Sequence, residues 1–392
     1  MPDDGLSRRA LAILSRLVSF DTTSRRSNLE LISWVEAQLH DLGVASRRVE
    51  SDDGAKANLL ATVGPGVEGG VVLSGHTDVV PVDGQAWTSD PFTVHRRGDR
   101  LYGRGTSDMK GFLALGLACV PDLLAAPLKR PAHLAFSYDE EVGCLGAPRL
   151  IDVMTRSIPR PALVIVGEPT DMRAVASHKG VIAYEVEVIG REAHSGQPHL
   201  GVSAVMVAAR LMARLVDIAQ RLEAGADPAS PFEPKGASLT IGQVSGGTAA
   251  NILARECRFV FDLRTPPGLD PRSVLGEFFE VSADADRSIK AVAPEGGVAI
   301  RLLGEVPAMA AEPNGSAEGF ARRLAGDNGP VRVVSFAAEA GQFQAAGYSV
   351  VVIGPGSIDQ AHRPDEYLEL SQLERGAAFM TRLVAALATD SG

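Results

Sequence analysis

The stretch SGHTDVVPV, residues 74–82, closes the apolar run GGVVLSG (69–75) with His76 and Asp78, a histidine and an aspartate one residue apart. A short apolar run of this kind, bounded by glycines, reads as a buried strand. A strand that finishes in ionisable groups carries them to a sheet edge, and α/β sheets gather their active groups at the strands' carboxyl ends. In extended chain Asp78 points to the same side as His76, so it can steady the imidazole as metal-bound histidines require. Taken alone, the HTD triplet describes a hydrogen-bonded structural histidine equally well.

Its neighbours along the chain repeat the pattern. GRGTSDMKG (103–111) is a glycine-rich turn that leads through Asp108 into an apolar helix; as a helix entry, Asp108 could equally serve as an N-cap. Gly103-x-Gly105 superficially matches a dinucleotide loop, but the third glycine and the βαβ entry are missing. The strand-like run HLAFSYDEEVG (133–143) ends in Asp139, Glu140 and Glu141, and ALVIVGEPT (162–170) ends in Glu168. Adjacent residues in extended chain face opposite ways, so Glu140 and Glu141 address different targets, one a metal and the other what the metal binds. His362 follows VVIGPG (351–356) in a loop. Two imidazoles and three or four carboxylates thus converge on one sheet edge. Mixed N/O ligation suits Zn²⁺, Co²⁺ or Mn²⁺, and two ions sharing a carboxylate agree with the count.

Periodicity places these motifs. Residues 6–18 and 28–42 read as amphipathic helices, followed by strands at 57–63, 71–75, 133–137 and 162–167 and helix-like segments at 109–125 and 143–154. This alternation predicts an α/β layer with a largely parallel sheet. From 181 the rhythm changes to an alternating strand (181–190), a long helix (202–222), a Pro/Gly/Ala-rich loop, strands at 238–244 and 257–264, a helix near Pro271 and a strand at 297–303. The order βαββαβ suits a small sandwich with its own core. After Pro307 the α/β rhythm resumes. The expected organisation is a catalytic α/β domain over 1–178 and 307–392, interrupted by an α+β domain over 179–306.

Composition narrows the function classes. With 392 residues, 45% hydrophobic and 22% charged, the chain has the balance of an ordinary globular protein long enough for two cores. The acidic net charge of -10 is dispersed and there is no basic stripe, so nucleic acid is not an expected partner. No apolar stretch approaches the roughly 18 residues needed to span a bilayer, and no secretory signal is visible, so the expected location is cytoplasmic. Cys119, Cys144 and Cys257 are far apart and form no CxxC pair, which argues against a disulfide framework.

In their order, SGHTDVVPV, WTSDPF, LYGRGTSDMKG, YDEEVGCLGA, VGEPT, HKG, AHSGQPHLGVSA, GGTAANIL and GPGSIDQAHRPDE resemble the metal-dependent aminoacylase/carboxypeptidase family of zinc amidohydrolases. Within that family the likeness is to the acetylornithine deacetylases, through GPGSI (354–358), AH (361–362) and PDE (364–366). The resemblance implies a zinc-peptidase-like α/β catalytic domain with a ferredoxin-like lid and dimerisation insert, hinged near 178 and 307. It implies two divalent ions, zinc or cobalt, with Asp108 bridging, His76 and Glu168 completing one site, and Glu141 and His362 the other. Glu140 becomes the general base, with Asp78 beside His76. His194 is implied to hold the developing oxyanion, often across a dimer interface, while Asn251 and Arg264 meet the substrate carboxylate. Glu339, in FAAEAGQF, falls in a substrate-binding segment where the family usually has threonine in place of Ala338. Among the remaining histidines, His178 in HKG marks the interdomain hinge. The implied reaction is removal of the acetyl group from N2-acetyl-L-ornithine, a small-molecule substrate, in arginine biosynthesis. The alternatives are deacylation of another N-acyl amino acid, desuccinylation, small-peptide hydrolysis, or a silent metal-binding module.

Overall fold

Helices and strands alternate from the start of the chain. Two helices, α1 (Asp4–Val18) and α2 (Leu29–Asp41), lead into β1 (Ser46–Glu50), β2 (Ala57–Val63) and β3 (Val71–His76). A hairpin of β4 (His95–Arg97) and β5 (Arg100–Tyr102) precedes α3 (Lys110–Ala125). Then come β6 (Ala132–Ser137), α4 (Ala147–Ser157), β7 (Leu163–Val166) and β8 (Val175–His178). The middle of the chain forms β9 (Gly180–Ile189), α5 (Ala204–Ala224), β10 (Ser238–Gly246), β11 (Glu256–Thr265), α6 (Pro271–Val292) and β12 (Gly297–Val306). Last are α7 (Ser316–Ala325), β13 (Arg332–Val334), α8 (Ala340–Ala345), β14 (Val350–Val352), β15 (Tyr367–Glu369) and α9 (Leu370–Leu387). This computed structural model describes residues 4–313 and 315–389, so the outermost residues of the expected catalytic domain and Asn314 lie outside the described residues.

The chain divides into two compact units: Met1–Ser177 with Met309–Arg332 and Ala338–Gly392, and His178–Ala308 with Val333–Ala337. One part of the expected division needs correction, because 333–337 belongs with the second unit. There Lys179 N donates to Val334 O at 3.3 Å, and Ser335 Oγ donates to Glu233 O at 2.6 Å. Sequence periodicity cannot register such a return, since it reads only local pattern.

The first unit is a mixed α/β structure around a sheet whose strands run in the order β1-β2-β6-β3-β7-β14-β8. Its centre is parallel: β3 pairs parallel with β6 and β7, and β14 parallel with β7. Strands covered on both faces read as continuous apolar runs, and every residue of β3, β6 and β7 is buried. Helix α3 is apolar almost all round because it lies within the core, packed against α1 and α9. The helix expected at 143–154 begins only at Ala147. Gly143 and Cys144 hold positive φ (115° and 53°), which turns the preceding residues into a loop.

The second unit has the expected βαββαβ order, and its sheet order β10-β11-β9-β12 is that of a ferredoxin-like sandwich. Burial alternates strictly along β9, as the sequence pattern predicts. Phe261 meets Phe278 edge-on at 5.2 Å and stacks on Tyr184 at 5.7 Å, tying β9, β11 and α6 into one core. The two long helices start on built caps: Ser203 Oγ accepts from Met206 N before α5, and the Asp270 carboxylate accepts from Arg272 N and Ser273 N before α6.

His133 on β6 is fully buried, with Nδ1 2.9 Å from Thr62 Oγ1, and burial lowers its pKa from 6.5 to about 4. Between those values the unfolded chain takes up a proton that the folded chain does not, so stability falls as pH drops through this window, by up to about 3 kcal/mol. Denaturant melts at pH 7 and pH 5 should therefore show a larger loss for the native sequence than for His133→Gln. Equal losses would remove His133 as the cause.

Candidate metal centre

The parallel strands deliver the site. His76, the last residue of β3, sits opposite Ser137 at the end of β6, and Ser74 opposite Val166 at the end of β7. The segments leaving β6 and β7 therefore carry Glu140, Glu141 and Glu168 to the point where His76 emerges. Asp108 arrives from the turn before α3. That helix is capped at Met109 without a side-chain bond, so Asp108 is not its cap and its carboxylate is free for other work. The helix start sits tightly on the strand ends: a Cβ on Gly75 would lie 2.3 Å from Met109 Cε, and one on Gly167 2.0 Å from the Phe112 ring. Only glycine permits that approach.

Two groups of possible ligands result, His76 with Asp108 and Glu168, and Asp108 with Glu141 and His362; within each, one donor atom per residue lies within 4.8 Å of the others. His76 Nε2 is 3.1 Å from Asp108 Oδ1 and 3.9 Å from Glu168 Oε1. His362 Nε2 is 3.3 Å from Asp108 Oδ2 and 2.9 Å from Glu141 Oε2. Asp108 thus turns one oxygen to each group, the arrangement of a bridging carboxylate.

Electrostatics sharpen the picture. Burial favours the neutral acid, and neighbouring carboxylates press the same way: Glu141 is pushed up to about 7 and Glu168 well above its ordinary range, each by burial and then by Asp108. Glu140 is raised to about 8, by burial against the opposing pull of His76, with Glu141 and Asp108 adding to the rise. Burial would also raise Asp108, but hydrogen bonds with His362 and His76 hold it well below the ordinary carboxylate range. The rings go upward. His362 reaches about 10 through its bonds to Asp108 and Glu141, and His76 rises well above 6.5 because Asp108 and Asp78 outweigh its burial. The cluster's field therefore favours positive charge at both rings. A divalent cation in each group would supply that charge and take the neutral ring as ligand.

The residues fit such ions. The donors are imidazole nitrogens and carboxylate oxygens, the set that borderline divalent metals take, and Glu168 Oε1 is a buried oxygen without a hydrogen-bond partner. His76 Nδ1 lies 2.9 Å from Asp78 O, which fixes its proton there and leaves Nε2 as the ligand atom.

Other expected site residues fall in varied places. Asp78 steadies His76 as expected, through its main-chain carbonyl at 2.9 Å from Nδ1 and its carboxylate Oδ1 at 3.6 Å from the same nitrogen. The carboxylate also accepts from Glu140 N at 3.1 Å, Glu141 N at 3.3 Å and Ser24 Oγ at 2.7 Å, so it sets the loop that carries both glutamates. Lys56 pairs with Asp139 from the loop's other side. Glu339, expected at the substrate, is only 1% exposed. Its oxygens accept from Ser74 Oγ at 2.6 Å and Ser137 Oγ at 2.7 Å, so it braces β3 and β6 beneath the site.

In the second unit, His194 and Asn251 come together: His194 bridges to Ile252, and Ser195 N donates to Asn251 O at 2.9 Å. Arg264 lies at the opposite end of β11, paired with Val181 and Ser238, its Nε 3.5 Å from Asp262 Oδ1. Sequence reasoning missed Ser24 and Lys56. Ser24 meets the chain at Val79, just after β3, and Lys56 precedes β2, so neither carries a local signal of its role.

Comparison with known proteins agrees with this site. Residues 72–386 match the family described as Peptidase family M20/M25/M40, and the chain belongs to it. It is 36% identical over 386 residues to an acetylornithine deacetylase of Myxococcus xanthus, covering 95% of this chain and 96% of that protein. A Salmonella paratyphi B acetylornithine deacetylase is 32% identical over 378 residues, covering 96% and 95%. In fold, human carnosine dipeptidase 1 matches with TM-score 0.77 at 18% identity, covering 97% of each chain. The M20 metallo-carboxypeptidase Sso-CP2 of Sulfolobus solfataricus matches at 0.76, with 18% identity and 97% and 99% coverage. The chain is a metal-dependent amidohydrolase, with a candidate site for two divalent ions.

If Asp108 serves both ions, its loss should empty both. Zinc-equilibrated native protein should hold two ions per chain by plasma emission, His362→Ala one, and Asp108→Asn none tightly. Retention of two ions by His362→Ala would remove it from the ligand set.

Proposed function

We propose that this chain hydrolyses N2-acetyl-L-ornithine to ornithine and acetate, in arginine biosynthesis in the cytoplasm, with zinc or cobalt at both positions. The observation that carries the reading is Glu140, a half-buried carboxylate on the same Asp78-held loop as Glu141, beside two ligand groups that share Asp108. The relatives named acetylornithine deacetylase, similar over nearly the whole chain, support the choice of substrate.

Held by these residues, divalent ions supply a water made acidic near neutral pH and an electrophile for the carbonyl oxygen. Glu140 takes the proton of the attacking water and returns it to the departing amine, which could not leave without it. Asp78 holds the Glu140 main chain in place. His194 is given the developing negative charge on the carbonyl oxygen, in its own subunit or in a homodimer formed through the second unit. Its Nδ1 accepts from Gly196 N at 3.0 Å, which leaves the ring's proton on Nε2 as a donor. Donors of this kind typically contribute about 3 kcal/mol to an oxyanion. Asn251 and Arg264 are assigned to the substrate carboxylate, which they reach together only from different subunits, since they lie at opposite ends of β11.

Two measurements test the reading. Glu140→Ala should keep both ions yet lose at least about a hundredfold in kcat, the usual worth of a general base; normal turnover would show that the base lies elsewhere. In a panel of N-acetyl-ornithine, N-succinyl-diaminopimelate, N-acetyl-methionine and a dipeptide, zinc-loaded protein should give its highest kcat/KM with N-acetyl-ornithine. A clear preference for any other member overturns the substrate and leaves the chemistry standing.

A further inference from the structure

His362 is the least secured of the ligands. Its side chain is 51% exposed, against 6% for Asp108 and Glu141, and it sits in a loop with φ at 64°, a conformation that non-glycine residues rarely hold without outside support. Support arrives from residues 85–104, a segment the metal chemistry leaves unused. Gln85 Nε2 donates to His362 O at 2.9 Å. The Gln85 side chain is itself fixed, because its Oε1 accepts from Arg104 Nη2 at 2.6 Å and from Trp87 Nε1 at 3.0 Å.

Arg104 extends the chain of bonds. Its guanidinium is fully buried, donates through Nη1 to Glu366 Oε2 at 2.7 Å and to Arg363 O at 3.3 Å, and lies over the Trp87 ring. Glu366 in turn accepts on Oε1 from Ser107 N at 2.9 Å and Asp108 N at 3.1 Å. Thr88 adds a second strap, with N and Oγ1 each 3.0 Å from Asp365 Oδ1. One continuous network therefore reaches the backbone of Asp108 at one end and that of His362 at the other. It gives a role to Trp87 and Thr88 of WTSDPF and to Asp365 and Glu366 of PDE.

We propose that Gln85, Arg104 and Glu366 are positioning residues: Glu366 holds the main chain of Asp108, which serves both positions, while Gln85, fixed by Arg104, holds that of His362 and so sets the affinity of the Asp108–Glu141–His362 position selectively. This rests on the reading of the site as one for two ions. The His76–Asp108–Glu168 position depends less on Gln85, because His76 and Glu168 are buried at strand ends and the His76 ring is fixed by Asp78. Partners outside the ligand set typically contribute 10- to 100-fold in metal affinity.

Truncating Arg104 or Glu366 would strand a buried charge and endanger the fold, so half-buried Gln85 carries the test. Metal-free native protein, Gln85→Ala, Gln85→Met and, as reference, His362→Ala are titrated with zinc against a chromophoric chelator, alongside thermal melts of the metal-free forms. The methionine variant keeps the shape of the side chain and loses its bonds. Both Gln85 variants should show one zinc step weakened about tenfold or more, moving toward the His362→Ala curve, with the other step and the metal-free melting midpoint unchanged. Isotherms that superimpose on that of the native protein overturn the proposal. So does equal weakening of both steps with a lowered midpoint, the mark of a merely structural role. Native protein that takes up a single zinc overturns the two-ion reading, and this inference with it.

Discussion

Several carboxylates buried side by side are the constraint around which the first unit is arranged. Two like charges about 4 Å apart repel by about 4 kcal/mol at an effective dielectric near 20, and Asp108, Glu141, Glu168 and Glu140 crowd one such space with little water to screen them. A protein tolerates this by keeping some of the acids protonated or by seating cations among them. Asp108 answers the constraint most directly, since it is the one acid in contact with both imidazoles and the one whose carboxylate stays well below its ordinary range.

Holding that cluster explains features that would otherwise look incidental. The three central parallel strands end together, so residues far apart in sequence emerge at one edge. Glycines at 75 and 167 let the start of α3 sit on those ends and bring Asp108 with it. Asp78 serves two masters: its carbonyl fixes the ring of His76, and its carboxylate fixes the main chain of Glu140 and Glu141. Glu339 ties β3 to β6 from below through two serine hydroxyls. Much of the polar content of this core is thus scaffolding for a few ligand atoms.

Much of this was legible in the chain itself, for a physical reason. Buried parallel strands read as unbroken apolar runs, and ionisable residues at their ends stand out: His76, Glu140, Glu141 and Glu168 were visible this way, and the alternation along β9 announced the change to an antiparallel sheet. Ligand partners were harder to read. Assigning Asp108 as the bridge and His362 as its far partner took the family resemblance, because pairing across some 250 residues leaves no local signal. What failed was side-chain direction. Glu339 sits within a matching motif yet turns into the core. The hairpin of β4 and β5 went unread although Gly98-Asp99 between two short runs is a turn signal; the runs are basic and only three residues each.

The account stands or falls on one shared carboxylate. Anomalous diffraction at the zinc edge, from crystals grown with zinc, tests it most directly. The expected map has two strong peaks flanking Asp108, one against His76 and Glu168 and the other against Glu141 and His362. A single peak at full zinc occupancy, or two peaks of which neither touches Asp108, would contradict it.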